Sequence, residues 1–329
     1  MSTPPLHRWS ALDGQPWRPL SGGLINDTYL VGDPPVAVVQ HLHPLFPPRV
    51  NDDIEAVTAH VEARGMCTPR LLRTVDGALC EGKWRALSFV PGVTHHKLQD
   101  PALAAAAGRL VARWHQATDD LEHDFAFSRP LAHHTPHHMQ VLREALDNHS
   151  THALYDEVAA LAEAILAAWS RWDGDLDEPT RIAHGDLKIS NLRFSEEGDG
   201  LCLLDLDTMG HLPLSVELGD AWRSWCNPAA EDAAETVFSL ELFEASASAY
   251  LDANPLPSLA REALAPGIER ICTELSARFA ADALNESYFG WSPEVAPTRG
   301  HHNLLRAKGQ FALSESVRGQ RAAIEAVLA

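Results

Sequence analysis

Apolar positions along the chain follow two different rhythms. In the first ninety residues they come in short runs, "DTYLV" (27–31), "VAVVQHL" (36–42) and "WRALSFV" (84–90), rich in β-branched and aromatic side chains and separated by Gly, Pro and Asp. Such runs predict strands. Between the second and third lies "NDDIEAVTAHVEARG" (51–65), where Ile54, Val57 and Val61 share one helix face and Gly65 is placed to end it. "PGVT" (91–94) then breaks the pattern and predicts a hinge.

Beyond the hinge the rhythm is helical. "DPALAAAAGRLVARWHQ" (100–116) opens with Asp100 as N-cap and Pro101 at the first helical position. Leu103, Ala107, Leu110, Val111 and Trp114 form its apolar stripe. A second helix carries Leu154, Val158, Leu161, Ile165 and Trp169, and two more fit residues 234–251 and 263–284. The exceptions are "RIAH" (181–184) and "LCLLDLD" (201–207), which read as two short strands around a loop. No internal repeat is visible. The fold class expected is α+β, with a β-rich N-terminal part over residues 1–91 and a larger, mostly helical part over 92–329.

Charge narrows the partners. The 329 residues include 45 acidic and 26 basic side chains, for a net charge of −19. Such a surface repels nucleic acid and anionic membranes, so neither is expected as a partner. The five cysteines are scattered without a CxxC pair, which fits a reduced, cytoplasmic protein. The opening "MSTPPLHRWS" has no signal-peptide core, and no apolar stretch is long enough to span a bilayer. Monomer and homodimer are both compatible with the chain.

The chemistry concentrates in "IAHGDLKISN" (182–191). Its order of His, Asp, Lys and Asn is that of a kinase catalytic loop. Asp186 is placed to accept the proton of a hydroxyl that attacks a γ-phosphate, and Lys188 to offset charge on the transferred group. Asn191 offers an amide oxygen to Mg²⁺, and Asp205 in "LLDLDTMG" (203–210) a carboxylate. Asp207 would share a face with Asp205 in an extended chain and support the site. Upstream, Gly22 and Gly23 in "SGGLINDTYLV" (21–31) permit a tight turn whose N–H groups can approach phosphates. The "HHTPHH" tract (133–138) reads as a polar lid or loop rather than a metal site, and Glu55 and Glu62 as surface charge.

Taken together, the sequence resembles the aminoglycoside phosphotransferase and choline kinase superfamily, and within it the N-acetylhexosamine 1-kinase type. The narrower resemblance runs through residues 25–31, 38–48, 83–92, 217–227, 277–289 and 301–310, besides the central motifs. It implies a two-lobed, protein-kinase-like fold, with ATP between the lobes near Phe89 to Gly92. It implies ATP and Mg²⁺ as cofactors, and phosphoryl transfer to a sugar hydroxyl, the anomeric one. It adds Asn26, Thr28 and Gln40 to the nucleotide side, and nominates Arg223, Arg278 and Tyr288 for the sugar.

The chain departs from that pattern in places. Many kinases have Lys where Gln40 stands, although the sugar-kinase relatives tend to share the Gln. Those relatives often have His at Leu24 and Asn at Gly185, which leaves the sugar's identity open. Two competing readings are a kinase for an aminoglycoside, choline, a fructosamine or an amino alcohol, and a nucleotide-binding regulator without catalysis. No APE-type motif follows Asp205, which disfavours a protein kinase.

Overall fold

Strands β1 (Trp17–Pro19), β2 (Asp27–Gly32), β3 (Pro35–His41) and β4 (Trp84–Ser88) form an antiparallel sheet in that order. The computed structural model describes residues 3–20, 26–229 and 232–329. Successive side chains of a strand alternate faces. Val31, Ala37, Val39 and Ala86 therefore share one face, which Leu6, Trp9 and Leu12 cover. The opposite face carries the cross-strand row Thr28, Gln40, Arg85. The edge strand β1 was not expected, since "WRP" has no apolar run to betray it.

Helix α1 (Val50–Ala63) fills the gap between β3 and β4, and its last turn closes with the Gly65 N–H on the Glu62 carbonyl at 2.8 Å. Ile54, Val57 and Val61 belong to the same buried cluster as Leu110, Val111 and Trp114, so α1 and the helical lobe share one core. Strand β5 (Val93–Thr94) follows the expected hinge, then come α2 (Pro101–Thr118), α3 (Thr135–Asn148) and α4 (Tyr155–Arg171). Asp100 caps α2 as expected, accepting the Ala102 N–H at 2.8 Å.

The centre differs from its expectation. Four strands, not two, surround the polar loop: β6 (Thr180–Ala183), β7 (Leu192–Phe194), β8 (Gly200–Leu203) and β9 (Gly210–Pro213). β6 pairs with β9, while β8 pairs with β7, which also pairs with β5. Strand β8 stops at Leu203, because Asp205 turns left-handed (φ 59°) and Leu206–Thr208 coil into a single 3-10 turn. Asp205 and Asp207 consequently do not share the face of an extended chain. The histidine tract is likewise not a loop throughout. Thr135 starts α3, with the His134 ring accepting the His137 N–H.

Helices α5 (Leu214–Trp225), α6 (Leu240–Ala253), α7 (Ser258–Glu262), α8 (Leu264–Asn285), α9 (Arg299–Gly319) and α10 (Arg321–Leu328) complete the fold. The helix expected from residue 234 starts only at Leu240, where the Ser239 hydroxyl caps it. Helix α8 runs through the middle of the lobe and is buried along nearly its whole length. Helix α5 lies close against it because both are glycine at the crossing: a Cβ on Gly219 would stand 2.7 Å from the Gly267 carbonyl. That approach sets Asp220 and Arg223 of α5 close to Cys272 of α8. Among the described residues no helix is long and apolar enough to cross a membrane.

Candidate active site

The loop from His184 to Asn191 is held by buried polar contacts. The N–H groups of His184 and Gly185 both donate to the Glu217 carboxylate, at 2.7 and 3.0 Å. The His184 ring spans the loop, with Nδ1 accepting the Asp186 N–H at 3.3 Å and Nε2 meeting the Leu204 carbonyl at 2.8 Å. Those two contacts match the tautomer that carries its proton on Nε2. Ser224 receives the Ile189 N–H at 3.0 Å, and the Trp225 indole donates to the Leu187 carbonyl at 2.8 Å. Glu217, Ser224 and Trp225 on α5 thus fix a loop whose own residues are free for chemistry. Sequence reasoning missed Glu217; the only signal was an acid in the apolar "LSVELGDAW" (214–222).

Three of the expected residues converge. Lys188 Nζ donates to Asp186 Oδ2 at 2.6 Å, and Asn191 Nδ2 donates to the Asp186 carbonyl and to its Oδ2 at 2.9 and 3.1 Å. Burial raises the Asp186 pKa, but the Lys188 charge and hydrogen bond outweigh it, and the carboxyl lies below its ordinary value. Burial of the Lys188 amine works against its charge, yet Asp186 and Asp205 raise its pKa. With the Asn191 NH₂ turned to Asp186, its Oδ1 is left as an acceptor that no described residue uses. Asp205 makes no hydrogen bond or ion pair among the described residues. The cleft walls crowd its solvent-facing carboxylate and, with Asp207 beside it, raise its pKa. Its left-handed backbone is uncommon outside glycine, and strain of this kind gathers at functional sites.

Two hard oxygen ligands, Asn191 Oδ1 and the Asp205 carboxylate, fit Mg²⁺, which takes few protein ligands and completes its shell with phosphate and water. Among the described residues no three His, Cys, Asp or Glu side chains are grouped to hold a metal by themselves.

Gly22, Gly23 and Leu24 lie outside the described residues. Gln40 is tied to both neighbouring strands: its Oε1 accepts Arg85 Nε and Nη2 at 2.9 and 2.7 Å, and its Nε2 donates to Thr28 Oγ1 at 3.3 Å. Asn26 donates to Asp207 Oδ2 at 2.8 Å and accepts the His43 N–H at 2.9 Å. Asp207 forms a buried ion pair with Arg85. Phe89, at the end of β4, lies under the Arg193 guanidinium at 5.6 Å.

Residues 16–251 match the phosphotransferase enzyme family, a span that takes in the sheet, the His184–Asn191 loop and most of α6. The chain belongs to that family. Among solved structures it is similar to a microcompartment-associated aminopropanol kinase, with 17% identity, 98% of each chain covered and a TM-score of 0.62. It is also similar to an aminoglycoside phosphotransferase from Alicyclobacillus acidocaldarius subsp. acidocaldarius DSM 446, with 15% identity, 98% of each chain covered and a TM-score of 0.61. A third is the amicoumacin kinase in complex with AMP-PNP and Ca²⁺, with 13% identity, 88% of this chain and 87% of that one covered, and a TM-score of 0.58. These likenesses establish the fold, the two-lobed kinase-like α+β architecture. No curated protein matches the chain in sequence.

Next to the loop, this phosphotransferase gathers charged groups from the segment before α3, from α5 and from α8. Arg223 donates to Asp220 Oδ1 through Nε and Nη2, at 3.1 and 2.7 Å. Glu274 accepts Thr135 Oγ1 at 2.6 Å, meets His133 Nδ1 at 3.2 Å, and has Arg278 at 3.8 Å. Burial raises its pKa, but His133 and Arg278 overcome this and bring it to about 2. Burial lowers the His133 pKa, and Glu274 more than reverses that, so the ring ends above its ordinary value. Its Nε2 reaches the Gly185 carbonyl at 3.3 Å, which links this cluster to the loop. Arg270 donates to Thr135 Oγ1 and to the His133 carbonyl, both at 2.9 Å. Arg278 also lies over the Phe289 ring. Tyr288 is half exposed, and its hydroxyl accepts Arg129 Nη2 at 3.0 Å. His133, Arg270 and Glu274 were not expected here, because spacing along the chain does not show that α3 and α8 meet.

Proposed function

We propose that the protein is an ATP-dependent small-molecule kinase that phosphorylates a sugar hydroxyl, the anomeric one of an N-acetylhexosamine or related hexose. Kinase chemistry is carried by one observation: Asp186, Lys188 and Asn191 form a single hydrogen-bonded group beside the free Asp205 carboxylate. On this reading Asp186 orients the acceptor hydroxyl and takes its proton as the oxygen attacks the γ-phosphorus. The bond from that phosphorus to the β,γ-bridging oxygen breaks, and ADP leaves. The transition state is loose, so a carboxylate of low pKa is base enough. Lys188 stays charged and stabilises the transferred group. Asn191 and Asp205 would hold Mg²⁺, which when bound draws charge from the phosphate oxygens.

The N-terminal lobe, ending at Pro91, forms the nucleotide side. Phe89 to Gly92 line the nucleotide base. Thr28, Gln40 and Asn26 build the framework of that lobe. Residues 92–329 carry the loop and the acceptor side.

A cationic acceptor is disfavoured because each acid of this cluster already faces a cationic side chain. Glu274 is matched by His133 and Arg278, and Asp220 by Arg223. A polyol presents donors and acceptors that such paired groups can bind, with Arg223, Arg278 and Tyr288 on its path. One observation favours a cationic acceptor instead: Asp220 Oδ2 is buried and accepts no hydrogen bond among the described residues.

An ADP-release assay with Mg·ATP decides between them, run on N-acetylglucosamine, N-acetylgalactosamine, plain hexoses, an aminoglycoside and choline. The expected result is turnover on a hexosamine. Asp186→Asn should lower it by about 10²–10⁴-fold while nucleotide affinity stays near wild type. Turnover on the cations alone would refute the sugar reading, and an active Asp186→Asn variant would refute its role as base.

A further inference from the structure

Gln40 occupies the strand position where a kinase carries lysine, and the cation has moved to its neighbour. Gln40 and Arg85 are cross-strand partners on β3 and β4. Besides its two bonds to Gln40, the Arg85 guanidinium grips Asp207 in bidentate fashion, Nη1 to Oδ1 at 2.5 Å and Nη2 to Oδ2 at 2.8 Å. A longer contact at 3.4 Å joins Nη1 to Asn51 Oδ1 on α1. These contacts use all five donors of the group. The Arg85 side chain is 2% exposed and that of Asp207 0%, so the pair is neutral as a unit and closed to solvent. Arg85 therefore has no donor to offer a phosphate. What it reaches is the metal loop. Asp207 lies in the same 3-10 turn, Leu206–Thr208, that the left-handed Asp205 caps.

We propose that Arg85 is the positioning residue of the metal site. From β4 it fixes Asp207, and through that turn it holds the Asp205 backbone in the left-handed form that aims its carboxylate into the cleft. The inference rests on the reading of Asp205 as a metal ligand. Arginine suits the task because its planar fork binds Gln40 and Asp207 at once, whereas lysine would bring a point charge without that geometry.

The test is calorimetric titration with AMP-PNP, with and without Mg²⁺, on the full chain. The main variant pairs Arg85→Gln with Asp207→Asn, which removes both charges and leaves neither alone in the interior. Arg85→Lys is the second variant, which keeps the charge if the first fails to fold. Arg73→Gln, an exposed arginine on the same lobe, is the control. The gain in nucleotide affinity that Mg²⁺ confers should fall by about tenfold or more in both Arg85 variants, the usual range for losing the support of a metal ligand. Metal-free affinity should stay within about twofold of wild type, since no nucleotide contact is lost. A folded variant with the full Mg²⁺-dependent gain would overturn the proposal. So would a parallel loss of affinity with and without metal, which is what general loosening produces. Absence of any Mg²⁺-dependent gain in the wild type would instead remove the metal-site reading, and this inference with it.

Discussion

Gly185 sits where the loop tolerates no side chain. Its φ is +78°, in the left-handed region, and a Cβ there would stand 2.4 Å from the Thr208 carbonyl. Thr208 cannot retreat freely, because its hydroxyl donates to the His184 carbonyl at 2.9 Å. Gly185→Ala should therefore cost about 1–2 kcal/mol for the backbone alone and more for the contact. The N–H pair on Glu217 would be displaced with it. The expected result is a lower melting temperature and at least about a tenfold loss of turnover, read by thermal unfolding and the ADP-release assay. Gly185→Asn, the residue common in the resembling sugar kinases, tolerates the left-handed backbone but meets the same carbonyl, so it should also lose activity. Turnover equal to wild type in Gly185→Asn would show that the loop can shift away from Thr208. The four residues Asp186, Lys188, Asn191 and Asp205 were legible in the sequence because their spacing is itself the motif. Arg85 and Glu217 were not, because their meaning lies in what the fold brings opposite them.

Helix α8 shows the same divide for a whole element. Its extent was readable from residues 263–284, since apolar residues recur in every turn. Its burial on nearly every side was not readable, and of its charged residues only Arg278 was singled out. In the structure each has a partner: Glu269 pairs with Arg318, Glu274 with His133, and Asp282 receives the N–H groups of Ser287, Tyr288 and Phe289. Such pairing makes stability depend on pH in a definite sense. The Glu274 carboxyl drops from its ordinary 4.5 to about 2, so it contributes about 3 kcal/mol above pH 4.5 that is lost as the pH falls towards 2. His133 is raised from 6.5, so its share is complete below 6.5 and fades as the pH rises through its folded value. Denaturant unfolding of the wild type should show this loss between pH 4.5 and 2. In Glu274→Gln, less stable at pH 7, that component should be absent. An equal loss in both proteins over that window would mean that Glu274 is not ionised in the fold. The strands divide in the same way: β2, β3 and β4 announce themselves by composition, while β1, β5, β7 and β9 are too short to do so and exist through pairing.

For the molecule as a whole, the lobes are joined more firmly than a hinge sequence suggests. Helix α1 belongs to the N-terminal lobe by chain order, yet its apolar face is built into the core of the helical lobe. The Arg85–Asp207 pair adds a second, polar junction. Removing one side chain from the shared core should therefore weaken both lobes together. Ile54→Ala is expected to cost about 2–5 kcal/mol and to lower one cooperative transition in calorimetry. Two separated transitions, with only the first moved, would show instead that the lobes melt independently. The inward pairing on α8 also bears on how this enzyme could acquire a new acceptor. A change at Arg270, Glu274 or Arg278 strands a buried partner, so a lineage crossing that terrain one substitution at a time meets a loss of stability before any gain. Arg129 and Tyr288, joined at the exposed rim, carry no such penalty. Diversification of substrate range should thus begin at that rim and reach α8 last, through coordinated replacements.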